Sequence, residues 1–161
     1  MFIIKSNYSR KIEINSGIER VRAFFSNTLN FIKLMDGVES IIALSDTKSR
    51  WTIRVDFPII GAFKQEFIVE QTSDDEDFIE WSPINGEAKN FLRYSADLVS
   101  ESENKSSLML MLSVELRREK ASQLHFLAGM AGAETISTEM SKYISKMLDI
   151  FLEEAKTQLE N

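Results

Sequence analysis

Cysteine is absent from this 161-residue chain, and histidine occurs once, at His125. Those two facts exclude a disulfide framework, a cysteine nucleophile and a thiolate or histidine metal cage. Proline occurs twice and glycine six times, so few positions force a break and long regular elements are expected. Positive charge is in deficit: 19 Lys and Arg stand against 25 Asp and Glu, for a net charge of −6. No local basic cluster compensates, which argues against a phosphate-tracking surface and a nucleic-acid partner. No apolar run reaches the ~18 residues of a transmembrane helix. The start, Met1–Lys5, is too short for the apolar part of a secretion signal, so a cytoplasmic protein is expected. Ser/His/Asp triads, phosphate loops and dinucleotide fingerprints are missing. The acidic run Asp74–Asp77 lacks the glycine and distal glutamate of a calcium loop and reads as a solvated turn. No metal and no cofactor are expected.

What is present is a chain of 43% hydrophobic and 27% charged residues, an ordinary balance that fits one domain over residues 1–161. Its organising stretch is Gln123–Leu159, read as one long helix. Ile136, Met140, Ile144, Met147, Phe151, Ala155 and Leu159 recur in steps of three and four and share one face. The N-terminal part of that face is nearly bare, with Gly129, Ala131, Gly132 and Ala133. A helix gives up about 1 kcal/mol per interior glycine relative to alanine. Two glycines there imply either close approach of another backbone or a space kept open.

Ahead of this helix the pattern is mostly strands. Phe2–Ile14 reads as a first strand. Ser16 with Glu19 has the spacing of a capping box, followed by short helices over Gly17–Asn27 and Leu29–Met35, and a turn at Asp36-Gly37. Strands are then predicted over Val38–Ser45, Arg50–Phe57, Phe63–Thr72, Phe78–Ser82, Asn90–Ser100 and Leu108–Glu119. The clearest alternation is Trp51, Ile53, Val55 and Phe57 against Arg50, Thr52, Arg54 and Asp56. Short polar connections between successive strands imply antiparallel pairing. The fold class is therefore α+β: a curved antiparallel sheet of about seven strands wrapped around a long C-terminal helix, with two short helices after the first strand.

Three stretches carry a resemblance to a known superfamily: Phe31–Ser40, the segment from Trp51–Val55 through Pro58–Phe63, and Leu127–Met140. With this element order they resemble the helix-grip superfamily of START-related lipid-binding proteins, pollen-allergen-like proteins and polyketide cyclases. Within it, they are most similar to the branch that contains the G-type subunit of carbon-monoxide dehydrogenase, although Asp36 stands where proline is usual. The resemblance implies a cavity between sheet and helix. It implies an apolar small-molecule ligand (a lipid, quinone or polyketide-like compound) and, from the carbon-monoxide-dehydrogenase branch, a possible protein partner.

The ligand-facing set expected from strand and helix parity is Trp51, Ile53, Val55, Phe67, Trp81, Tyr94 and Leu112 on the sheet. Opposite it are expected Leu127, Met130, Ala133 and Ile136 on the helix. Trp51, Trp81 and Tyr94 have the chemistry to stack on a flat ligand, and equally that of plain core aromatics. Gln65 shares a face with Phe63 and Phe67, where an amide needs a hydrogen-bond partner. It is a candidate ligand-orienting group, satisfied alternatively by Tyr94 or backbone. His125 has no orienting acid in view and reads as a capping or exposed residue. Glu66, Glu80 and Asp97 alternate outward, against a glycosidase-type carboxylate pair. A binding protein is the leading expectation. A cyclase- or dehydratase-like enzyme in the same cavity, using Tyr94, Gln65 or a water, and a protein-docking adaptor are the alternatives.

Overall fold

The computed structural model describes residues 1–58 and 60–161; Ile59, in one of the three stretches above, lies outside the described residues. The described residues form β1 (Phe2–Ile14), α1 (Ile18–Ser26), α2 (Thr28–Leu34), β2 (Val38–Ala43), β3 (Lys48–Phe57), β4 (Gly61–Asp74), β5 (Phe78–Pro83), β6 (Asn90–Ser102), β7 (Lys105–Arg118), a 3-10 turn (Ala121–Gln123), α3 (Ala128–Ala131) and α4 (Ala133–Leu159). The seven strands make one sheet in the order β1-β7-β6-β5-β4-β3-β2, and every pair is antiparallel. Strands β2 to β7 are successive neighbours, as their short connections require. Helices α1 and α2 carry the chain from β1 to the opposite edge. Among the described residues no helix is long and apolar enough to cross a membrane.

Period-two burial places one face of the sheet against α4. Leu108, Leu110, Leu112, Val114 and Leu116 of β7 are buried, as are Trp51, Ile53, Val55 and Phe57 of β3. Helix α4 answers with Ile136, Met140, Ile144, Met147, Leu148, Phe151, Leu152, Ala155 and Leu159. The apolar stripe expected from the sequence is thus the buried stripe, and burial at roughly 25 cal/mol per Å² holds the layers together. Polar contacts set the direction in which α4 lies along β1. The Lys5 N–H donates to Ser137 Oγ at 3.1 Å, Tyr8 O–H to Asp149 Oδ1 at 2.6 Å, and Lys156 Nζ to the Glu13 carbonyl at 2.9 Å. The helix therefore starts level with Lys5 and ends level with Glu13.

Two local readings are corrected. The long helix does not run from Gln123: the segment before Ala133 is the 3-10 turn, a loop and α3, and the break falls at Gly132. There φ is 86° and ψ 150°, a region essentially reserved for glycine. Gly132 is thus a hinge between helices and not an interior residue. Ser16 does not cap α1 either. Gly17 occupies the N-cap with no side-chain bond, while Ser16 is buried and its carbonyl accepts from Ser106 Oγ at 2.8 Å.

Candidate functional site

Between sheet and α4 lies an apolar cavity of about 20 Å³, room for roughly one water molecule. Its walls are Ile53 and Val55 of β3, Phe63, Gln65 and Phe67 of β4, Leu112, Val114 and Leu116 of β7, and Met140, Ile144 and Met147 of α4. The cavity has a topological cause. Strand β5 stops at Pro83, so beyond it β4 and β6 meet without an intervening strand, and Asn90 Nδ2 donates to the Glu66 carbonyl at 2.8 Å.

Gln65 is the one polar residue in the wall, and its partners define its orientation. Its Oε1 accepts from Asn90 Nδ2 at 3.1 Å and from Arg118 Nη2 at 2.9 Å; the same Nη2 donates to Asn90 Oδ1 at 2.8 Å. A guanidinium only donates. The atoms of Gln65 and Asn90 that face Arg118 are therefore oxygens, and the Gln65 amide nitrogen is left over. Arg118 continues the inward series Leu112, Val114, Leu116 by one more step of two. Its Nη1 donates to the carbonyls of Arg117 at 2.7 Å and Lys89 at 3.3 Å. Among the described residues no carboxylate lies within ion-pair distance of it; burial lowers its pKa from the ordinary arginine value, opposed in part by the charge of the nearby Glu87 carboxylate. On its outer side is a surface depression of about 420 Å³ shared with Met1, Ala88, Lys89, Arg117, Glu119 and Gln123.

No protein-family model matches this chain, and no curated protein matches it by sequence. Solved structures do. A protein of Deinococcus radiodurans superposes with a TM-score of 0.64 at 18% identity, covering 96% of this chain and 98% of its own. The Zhui aromatase/cyclase of a Streptomyces species gives 0.62 at 11% identity, covering 94% and 93%. A START superfamily protein of Mycobacterium smegmatis gives 0.53 at 13% identity, covering 88% and 98%. This is the helix-grip fold.

Within the helix-grip frame, the residues expected to face a ligand fall into three groups. Ile53, Val55, Gln65, Phe67 and Leu112 line the cavity together. Trp51, Trp81 and Tyr94 sit further along the concave face and fill it. Phe31 of α2 inserts among them, with ring centroids 5.6 Å from Trp51, 5.0 Å from Tyr94 and 5.6 Å from Phe151. Tyr94 is buried, its O–H donates to the Phe25 carbonyl at 3.3 Å, and burial raises its pKa. The indole N–H groups of Trp51 and Trp81 are buried without a partner among the described residues, an arrangement that costs roughly 1–3 kcal/mol for each group.

The third group belongs to the chain around Gly132. Ile136 is buried, but Leu127 and Ala133 are half-buried and Met130 is 86% exposed. Their expected inward placement assumed an unbroken helix. The glycine hinge ends that periodicity, and the cavity lies about two to four turns further along, at Met140–Met147. His125 is a local capping residue, with Nδ1 accepting from the Leu127 N–H at 3.1 Å. Sequence reasoning missed Asn90 and Arg118, although the even-numbered inward series of β7 points at Arg118.

Proposed function

We propose that this protein binds a hydrophobic or aromatic small molecule, such as a lipid, quinone or polyketide-like compound, between the sheet and α4. The observation that carries this reading is a wall of ten apolar side chains with Gln65 as its one polar member, the composition of a small-molecule site. As it stands the cavity is far smaller than the roughly 300–1,000 Å³ of such sites. Entry of a ligand would displace Met140 and Met147, whose flexible thioether chains re-pack at low cost. The aromatase/cyclase and START neighbours share the fold and support the reading by analogy.

Binding is favoured over catalysis in the same cavity. Tyr94, the acid–base candidate, is committed to the Phe25 carbonyl and held neutral by burial, while an amide such as Gln65 does not transfer protons near neutral pH. The likeness to the carbon-monoxide-dehydrogenase branch rests on the three sequence stretches alone, and with it the docking of a protein partner. The binding reading is tested by titrating a neutral hydrophobic fluorophore against the native protein and Val114→Phe, and by native mass spectrometry of extracted ligand. Saturable binding to one site, lost in Val114→Phe at a stability cost of about 1–3 kcal/mol, is the expected result. No saturable binding to the native protein would overturn it.

A further inference from the structure

A ligand has to cross the wall of the cavity, and two wall residues also border surface depressions. Val114 borders one on the outer face of the sheet, beside Lys5, Asn7 and Arg93. Met147 borders the other, a depression of about 180 Å³ between α4 and the end of α2, with Leu34, Asp36, Tyr143, Lys146 and Ile150. The sheet gives no passage at Val114, because β7 is hydrogen-bonded to β1 on one side and to β6 on the other. Met147 is a single side chain.

Its position follows from the helical period. Met140, Ile144 and Met147 form the stripe of α4 that faces the cavity. Tyr143, Lys146, Met147 and Ile150 form the stripe that faces the depression. The two stripes cross at Met147. On the opposite rim stands Gly37, where a Cβ would lie 3.0 Å from Met147 Sδ and 3.2 Å from Tyr143 Cε1. The partition between cavity and surface is thus an unbranched, flexible thioether chain set against bare backbone.

We infer that Met147 is the gate of the cavity and that the depression beside Leu34, Tyr143 and Ile150 is its mouth. The inference rests on the proposed binding at this cavity and adds the route by which the ligand enters. Rotation of Met147 joins the two spaces without breaking a backbone hydrogen bond. Met140 lines the cavity too but borders neither depression, so moving it makes room without giving entry.

The test is the rate at which Nile red, a neutral hydrophobic fluorophore, associates with the native protein and its variants in stopped flow. Entry that waits for a conformational change is slow, so Met147→Ala should associate about tenfold or more faster than the native protein. Met140→Ala enlarges the same cavity and should change that rate by less than about threefold. The absence of cysteine allows a second test that leaves the gate intact. Ile150 and Asn7 are exposed, so Ile150→Cys can carry a bulky maleimide at the mouth and Asn7→Cys the same label at the outer depression. Labelling Ile150→Cys should slow association about tenfold or more relative to the unlabelled variant, and labelling Asn7→Cys should leave it unchanged. Equal rates in the two alanine variants, no acceleration in Met147→Ala, a label at Ile150→Cys without effect, or a block at Asn7→Cys would each overturn the gate while leaving the binding reading intact. No saturable binding of Nile red to the native protein would overturn both.

Discussion

The two ends of the concave face are built from the same alternating strands and the same helix, yet one is filled and the other is not. At the aromatic end, α1 and α2 press Phe24, Phe25 and Phe31 against Phe151, with centroids 5.6–6.1 Å apart. At the cavity end β5 has stopped, α4 is the helix that supplies the wall, and the rest of the wall is aliphatic side chains, two phenylalanines and Gln65 from the strands, facing two methionines and Ile144 of α4. The filled end owes its packing to a second layer inserted from the side. The unfilled end has one layer fewer. A void in this fold thus follows from the shortness of β5 and the placement of α1 and α2, more than from small residues on the helix.

The largest test of this contrast is truncation at each end. Phe151→Ala removes a fully buried ring from the aromatic cluster and is expected to cost about 3–5 kcal/mol. Met147→Ala opens a wall that already borders a void and should cost less, near the lower end of the about 2–5 kcal/mol range for such changes. Chemical denaturation of both variants measures the difference. Equal losses would mean that the cavity end is packed as firmly as the aromatic end.

The glycines sharpen the contrast at the next level down. Gly37, read from the sequence as a turn residue, is buried under α4. A Cβ there would stand 2.9 Å from the Arg54 carbonyl and 3.0 Å from Met147 Sδ. The Arg54 backbone cannot easily give way, because its N–H donates to the Gly37 carbonyl at 2.7 Å and ties the two segments together. Gly37→Ala should cost about 1–3 kcal/mol by overpacking. Gly132→Ala should cost a comparable or smaller amount, about 1–3 kcal/mol, for a different reason: the space around it is open, but its backbone conformation is strained for any side chain. Gly129→Ala, whose Cβ would make an ordinary 3.7 Å contact with Ala121, should be neutral or stabilising by up to about 1 kcal/mol. Thermal midpoints of the three variants rank them.

Those glycines also mark where the sequence stopped being legible. Strand alternation and the helix stripe are local signals of period two and 3.6, and from them follow the element order, the α+β class and the buried face of α4. What Gly132 does depends on one dihedral, and what Gly37 does depends on residues far along the chain that cross above it. Neither has a local signature, so the glycines credited with shaping the cavity do not border it, while the one pressed against α4 looked like a plain turn. The polar cluster has the same character. Gln65, Asn90 and Arg118 come from β4, β6 and β7 and meet only because β5 ends early. Parity alone put Gln65 on the inner face; its partners needed the fold.

The smallest expected effect separates the two ends by pH. Tyr94 lies in the aromatic cluster with its pKa raised by burial, and Tyr8, beside the C-terminal half of α4, has its own raised by burial and by the Asp149 carboxylate it bonds. A tyrosine with a raised folded-state pKa stabilises fully below the unfolded value, about 10, and that contribution is lost as pH climbs toward the folded value. Near the cavity end, Glu115 on the outer face of β7 has its pKa lowered by Arg117, against a smaller opposing effect of burial. Its contribution is present above the ordinary glutamate value of about 4.3 and fades as pH falls below it. Stability should therefore decline on the alkaline side through the aromatic end and on the acid side partly through β7. Tyr94→Phe isolates the first. At neutral pH it removes one hydrogen bond of 3.3 Å to the Phe25 carbonyl and should cost about 0.5–1.5 kcal/mol. Above pH 10 the variant should lose less stability than the native protein, because it has one phenol fewer to ionise on unfolding. Denaturation midpoints measured from neutral pH to about pH 11 would show the two curves converging. Parallel curves would mean that Tyr94 ionises as readily in the fold as out of it, and that the aromatic end is more open to solvent than its packing indicates.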